Sequence, residues 1–540
     1  MSHNVYLHKT TLLIFASLLN AALLFSASPQ LIWHQNYGEA TLNQQLVVTA
    51  IDNYDNFFAA GYVNFGAYGN VLVNRYDGVG NLKWNRVYNN VQTSAAPDKP
   101  IGLFPNNQAG VTVVSYVNKL AVLTHIYSYD AAGNLANDVF IGDTTTGSKT
   151  QPFAVIYDNA SSFYLLGQLN SQSKVFKCSS DGSIVWSADL HNNYNPQVGS
   201  LSFDVSGNIV VGVSDSATAK VIIHLYQSSS GTELGAFNTQ VTSLPVNDNF
   251  IKIQVDQNYN VLLCATGIDT AGRSQLVIDK FDNTGILIWS TMCNSSRGHS
   301  NTVNSFIADH VGDVLISGPY TDNADAWQYG GVYKLSNDSG HIIWAAIDTQ
   351  FLVNSAVVQV DLFDNVYFGT TKTPSAISSK YSNFSFSQLS PDSGIVGWNR
   401  SFDNSTNNIN LITQVNNFGD IFLGTTATTD SNATWFLGRV GNAAGDVVGT
   451  AVKQVGDYET NLSVFPNPFI SEATIAFTSL VSESCEISLY DVTGNKIQRE
   501  QIQVATGYNQ VKLKTDITPG VYLLQVTGNN FKATKSVVIY

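Results

Sequence analysis

The chain has 540 residues and a formal charge of −14, yet only 12% of its residues are charged. A surface this acidic, with no Lys/Arg-rich run, repels phosphate, which argues against nucleic acid or an anionic membrane as partner. Solubility then rests on abundant Asn, Ser, Thr and Gly, the composition of an all-β chain with many turns, and the length excludes one compact core unless the fold is modular or circular.

In chain order, residues 1–28 differ from the rest. "MSHNVYLHK" is mildly basic, "TLLIFASLLNAALLF" is an apolar run of 15, and "SAS" supplies small residues for cleavage. That is the order of parts in an export signal. The run is interrupted by Asn20 and falls short of the roughly 20 apolar residues needed to span a bilayer. No later segment is long and apolar enough, so the mature chain is expected to have no transmembrane span.

A unit then recurs over residues 29–450. "SSDGSIVW", "DNTGILIW" and "NDSGHIIW" end at Trp186, Trp289 and Trp344, and related phrases end at Trp33, Trp84 and Trp398. The gaps are 51, 55 and 54 residues, or 102 and 103 where a unit lacks tryptophan. Degenerate copies lie near Leu135 and Leu234, and a last one, "AAGDVVGTA", follows Arg439. The front of the unit is marked by phrases such as "VVTAIDNYDNFFAAG" and "VVQVDLFDNVYFG", in which two apolar strands flank a turn entered by Asp or Asn. With a third strand and the tryptophan strand, each unit is a four-stranded antiparallel meander. Such a sheet must bury both faces on neighbours, and a ring of stacked sheets achieves this without a free end. The count predicts an eight-bladed β-propeller, with seven blades as the alternative. The strand "LIWHQNY" is available to pair with the last blade and close the ring. Each tryptophan is read as an anchor packed between sheets.

The "D…G…IW" phrase, at about fifty residues per blade, resembles the PQQ-like repeat of eight-bladed propellers. The resemblance implies fold more than function, and it suggests a quinone-dependent oxidoreductase as one alternative. Four strands and short loops consume the unit, which leaves little chain to cap a quinone and calcium. No cofactor is predicted.

Candidate chemistry is sparse. Turns such as Asp52/Asn56, Asp204/Asn208, Asp256/Asn260, Asp309/Asp313 and Asp361/Asn365 lack the middle and last carboxylates of a calcium loop, so they are read as bonding their own backbone. His224 lies in an apolar strand and is read as a core or edge residue, while His191 and His299 lie in loops. No nucleophile elbow or phosphate loop is present. Cys178 and Cys264 are read as small core residues, with a Cys264–Cys293 bridge as an open possibility. The second-to-third turns and the connections between blades share the face opposite the short turns. There "YVNFGAYGN" (62–70), "VYNNVQTSAAPDKP" (87–100), "HNNYNPQVGS" (191–200), "CNSSRGHSNT" (293–302) and "PYTDNADAWQYGG" (319–331) read as irregular binding loops. Tyr320, Asp322, Asp325, Trp327 and Tyr329 form the candidate ligand-binding cluster, because Trp327 is off the repeat phase.

After a linker at 451–461, residues 462–540 read as alternating strands with glycine turns and no tryptophan, consistent with a small Ig-like β-sandwich. The order of phrases is similar to the type A sorting domain of type IX secretion substrates. It matches at Pro466, Asn467 and Pro468, at the hairpin with Gly494, at "TPGVYLLQV" with Gly520 and Tyr522, and at "KSVVIY"; the final Tyr540 departs from the basic ending often seen. The resemblance implies a Bacteroidota source, the type IX machinery as partner, and an extracellular or outer cell-surface address. The expected function is a binding or scaffold module for an extracellular glycan or protein. An extracellular hydrolase, lyase or quinone-dependent oxidoreductase is the alternative.

Overall fold

The computed structural model describes residues 30–441 and 462–539, apart from short connections between strands, the longest being 89–97, 142–148, 240–250, 294–302 and 374–383. The expected export signal, the linker and the phrase following Arg439 lie outside the described residues. Every described element is a strand. The chain divides into two compact units, Met1–Asp446 and Val447–Tyr540.

In the first unit, Asn43–Ile51, Phe57–Phe65, Tyr68–Tyr76 and Leu82–Tyr88 pair in succession as an antiparallel meander. The same four-strand order repeats over 99–141, 150–189, 194–238, 251–293, 305–348 and 352–402, which we number as the second to seventh sheets. The closing sheet holds Asn407–Val415, Ile421–Thr428 and Ala433–Gly441, and its fourth strand is Gln30–Tyr37 from the other end of the chain. Trp33 pairs there with Arg439 and Tyr37 with Trp435. The closing sheet in turn packs on the first. Leu46 N donates to Thr426 Oγ1 (3.0 Å), Gln414 Nε2 to Thr49 O (3.2 Å) and Asn416 Nδ2 to Asp55 Oδ1 (3.1 Å). These bonds join residues about as far apart as the repeat region allows, so the sheets form a cycle, the topology of a β-propeller.

Burial follows position in the sheet. The second strand Ile421–Thr428 is buried at nearly every residue, whereas the fourth strand Leu82–Tyr88 alternates between exposed and buried. Inner strands touch a sheet on each side and so read as continuous apolar runs; outer strands keep one wet face and read as period two. Most core clusters of this unit accordingly bridge two sheets. Val210, Val221 and Ile223 of the fourth meet Ile251, Ile253 and Leu263 of the fifth, and each such side chain contributes about 1.5–3 kcal/mol by burial.

Three segments read as loops are mainly strand. Tyr62–Phe65 and Tyr68–Asn70 close the first sheet's central hairpin, Tyr194–Ser200 opens the fourth sheet, and Pro319–Asp322 pairs with Trp327–Gly330. Polar and aromatic residues there looked irregular, but strands prolonged beyond the core satisfy their backbone by pairing and tolerate such side chains.

The second unit contains a three-stranded sheet of Ser463–Phe465, Glu472–Ser479 and Gly507–Lys514. A four-stranded sheet follows, ordered Lys496–Val504, Glu483–Tyr490, Gly520–Thr527 and Lys532–Ile539. Both sheets feed one core, including Ile475 and Phe477 from the first and Ile487, Leu524 and Val537 from the second. Tyr522, at the start of Gly520–Thr527, donates its hydroxyl to Thr518 O (2.6 Å). Pro466, Asn467, Pro468 and Gly494 lie outside the described residues.

Candidate functional site

Five tryptophans repeat one bond. Each Nε1 donates to a carbonyl in the third-to-fourth turn of the next sheet: Trp33 to Gly78 (3.1 Å), Trp84 to Ala131 (3.2 Å), Trp186 to Ser228 (2.9 Å), Trp289 to Asn337 (2.9 Å) and Trp344 to Pro391 (2.8 Å). All five are buried, as the anchor reading expects. The indole lies on the glycine of that turn: a Cβ on Gly340, at φ +67°, would stand 2.4 Å from Trp289 Cε3. In the sheets without tryptophan, Asn137 Nδ2 donates to Ser180 O (2.6 Å) and Phe237 covers Gly285.

Opposite each of these tryptophans, across the third and fourth strands, stands a cation: Arg75, Lys177, Lys280, Lys334 or Arg439. Most of them reach the same turn, as Arg439 Nη1 reaches Gly78 O (2.7 Å) and Lys280 Nζ reaches Asn337 O (3.1 Å). On the other side they pair with carboxylates of first-to-second turns: Lys280 with Asp256 (2.9 Å), Lys334 with Asp309 (2.8 Å) and Asp313 (3.3 Å), and Arg439 with Asp420 and Asp55. Burial opposes the charge on Asp256, but hydrogen bonds from Asn260 and Lys280 outweigh it and hold the carboxyl below its ordinary range. Burial likewise opposes the charge on Lys334, and Asp309 and Asp313 overcome it and hold the amine above its usual value. These cations were missed in the sequence, although the signal was present: "RYD", "KCS", "KFD", "KLS" and "RVG" each place one two residues before the turn, in a chain with 26 Lys and Arg.

The turn carboxylates are spent on backbone, as expected. Asp256 Oδ1 accepts from Asn258 N (2.8 Å) and Asn260 N (2.9 Å), and its Oδ2 from Asn260 Nδ2 (2.8 Å). Asp52, Asp204 and Asp361 bond their turns in the same manner. His224 is a buried core residue, with Nδ1 2.7 Å from Glu233 Oε1 and its ring stacked on Tyr226, but its Nε2 is buried without a partner, so it is only half satisfied. All four cysteines are buried free thiols, so Cys264 and Cys293 are not bridged. Burial pushes the Cys178 and Cys293 thiols up to about 12.

At the opposite end of the sheets, the predicted cluster falls on one hairpin. Tyr320 faces Tyr329 and Asp322 faces Trp327 across Val314–Asp322 and Trp327–Leu335, while Asp325 lies outside the described residues. The register places these four backbone positions together. The same end holds a cluster that the sequence did not reveal. Between the first and second sheets, His125 stacks on Phe140 (4.3 Å, 10°) and Tyr127 (4.3 Å), with Tyr88 4.3 Å away. Its Nε2 lies 2.7 Å from Asp138 Oδ1, to which Tyr88 also donates (3.2 Å). Burial, reinforced by the Asp138 charge, raises the Tyr88 phenol, which stays a neutral donor to Asp138. Nearby, Lys99 Nζ sits 5.7 Å over the Tyr62 ring. No helix among the described residues is long and apolar enough to cross a membrane.

Residues 463–540 match the family model described as a secretion system C-terminal sorting domain, Por_Secre_tail. This is the type IX sorting tail, and it indicates export to the cell surface or extracellular space. No curated protein matches the chain. Among solved structures, Sqt1 from Chaetomium thermophilum is similar at 11% identity and TM-score 0.46, covering 77% of this chain and 100% of its own. The WD40 domain of SCAP from fission yeast is similar at 10% identity and TM-score 0.40, covering 77% and 98%. The β-propeller domain of the Trilobed protease from Pyrococcus furiosus is similar at 10% identity and TM-score 0.36, covering 62% and 92%. Likenesses of this degree say nothing about ligand or activity.

Proposed function

We propose that the mature chain is an eight-bladed propeller of PQQ-like repeats, released from a cleaved signal at 1–28, that type IX secretion carries out of a Bacteroidota cell. There it acts as a binding or scaffold module for an extracellular glycan or protein. The observation that carries this reading is the sorting-domain match over 463–540, read here as an Ig-like sandwich with Pro466–Pro468, Gly494, Gly520 and Tyr522 as its motif. Binding rather than chemistry is supported by how the titratable groups are used: the turn carboxylates hold backbone amides and buried cations, which is structural work. The face with the prolonged hairpin at Tyr320, Asp322, Asp325, Trp327 and Tyr329 is the proposed contact surface.

The test has two parts. In a type IX-competent host, the full chain should appear outside the cell, and a chain lacking 463–540 should remain in the periplasm; export without the tail would end the reading. The exported protein, screened against glycans and surface proteins, should bind a target and lose it with Trp327→Ala. Unchanged binding would remove the hairpin from the site.

A further inference from the structure

One tryptophan that is in phase with the anchors makes no stitch. Trp398, in the fourth strand of the seventh sheet (Val396–Phe402), is in phase with the other anchors, yet its Nε1 is buried without a hydrogen-bond partner. Two residues on, the pattern breaks again. After three of the stitched tryptophans the residue two beyond donates to the carbonyl of the turn glycine: Gln35 Nε2 to Gly80 O (3.2 Å), Arg86 Nε to Gly133 O (2.6 Å) and Thr291 Oγ1 to Gly340 O (2.6 Å); after the other two it is Ala188 or Ala346. Arg400 holds that place in the seventh sheet. Arg75, Arg86 and Arg439 all donate to neighbouring carbonyls, but among the described residues Arg400 meets no acceptor. The closing sheet takes its fourth strand from Gln30–Tyr37, and the residues that follow its third strand at Gly441 lie outside the described residues.

A groove of about 370 Å³ opens at this interface, lined by His34, Asn36, Arg400, Ser401, Phe402 and Phe436 along with Leu31. A register shift between Leu31 and Trp33 lets Trp33 turn toward the first sheet while His34 and Asn36 line the groove. His34 stacks on Phe436 (5.6 Å, 17°), and Phe402 stacks on Phe384 (5.2 Å, 20°), which gives the groove firm aromatic walls.

The geometry points to a binding site for an acidic glycan, held through the carboxylate of a uronic acid. After Trp33, Trp84 and Trp289 the position of Arg400 meets a carbonyl oxygen, so in the groove this guanidinium is placed to take an oxygen acceptor. A planar guanidinium takes a carboxylate through two parallel bonds, which a carbonyl or hydroxyl cannot match. Asn36, Ser401 and His34 suit sugar hydroxyls, and Phe402 offers an apolar surface to the C–H face of a pyranose. On a chain of net charge −14, an arginine that meets no carboxylate among the described residues is also the place where an anion is tolerated. This rests on the binding reading above but concerns a different face from the Trp327 hairpin.

The test titrates the full mature chain, by calorimetry at low and physiological salt, with an oligogalacturonate and with the neutral galacto-oligosaccharide of equal length. The acidic probe should bind, more weakly as salt rises, and the neutral one at least about tenfold more weakly. Arg400→Gln should abolish that preference, and Arg400→Lys, which keeps the charge but not the fork, should retain part of it. An oligogalacturonate that does not bind the wild-type chain overturns the inference, as does binding that Arg400→Gln leaves unchanged. Loss confined to Trp327→Ala would keep the binding reading and sink this site.

Discussion

Asp279 gives the sharpest test of the packing between sheets. It lies in the third strand of the fifth sheet, fully buried, where Ser290 Oγ donates to its Oδ1 (2.6 Å) and its Oδ2 has no partner. Burial pushes this carboxyl up to about 6 from 3.8. At about 1.4 kcal/mol per pH unit, the ionised group costs the fold roughly 3 kcal/mol at neutral pH. Because the folded pKa is above the unfolded one, the stability at this site is fully present below about pH 4. It is lost as pH rises through about 6. Asp279→Asn copies Asn74, which fills the same strand position in the first sheet. Asparagine mimics the protonated acid and cannot ionise, but it leaves one more N–H unmade, at about 1 kcal/mol. The variant should therefore be about 2 kcal/mol more stable than wild type at pH 7.5, and equal or up to about 1 kcal/mol less stable at pH 4. Urea midpoints of the mature chain across that range would show it. A shift of the same sign and size at both ends would refute the reasoning.

The stitched end yields three further expectations. Gly340→Ala must accept φ +67° and a Cβ 2.4 Å from Trp289, whereas Gly207→Ala, at φ +78°, meets nothing within 4 Å. The first should cost about 2–4 kcal/mol and the second about 1–2 by urea unfolding, and equal losses would contradict the anchor packing. Lys280→Met strips the partner from buried Asp256 and should cost about 3–5 kcal/mol, while Lys83→Met, from an exposed pair with Asp77, should cost under about 1 in the same assay. A chain beginning at Asn43 leaves the Ala433–Gly441 edge open, so size-exclusion chromatography should show self-association; a monomer with an unchanged melting curve would argue against the role of Gln30–Tyr37.

Much of the scaffold was legible because it is written in local rules. The Asp and Asn turn phrases, the apolar second strands and the tryptophan phase each follow from hydrogen bonding and side-chain alternation within a few residues. The match at 463–540 fell where the tail's phrases lay. The candidate sites were less legible. The hairpin at Tyr320 and Tyr329 read as a loop, because its polar side chains resemble those of a connection while its pairing depends on a strand several residues away. His125, Asp138 and Tyr88 come from three strands in two sheets, and no spacing announces their meeting.

From its residues alone, this protein declares a repeated four-strand unit, indole anchors and an exported tail, since those depend on patterns that a chain carries in linear order. Tertiary structure decided which carbonyl each indole and cation would reach, and that the first strand would complete the last sheet. Among the described residues it gave Trp398 and Arg400 no acceptor like those of Trp33 and Arg439. The physical reason is closure: a sheet with two apolar faces takes its partners from its neighbours in the ring, and the last sheet is completed only by a strand from the other end of the chain.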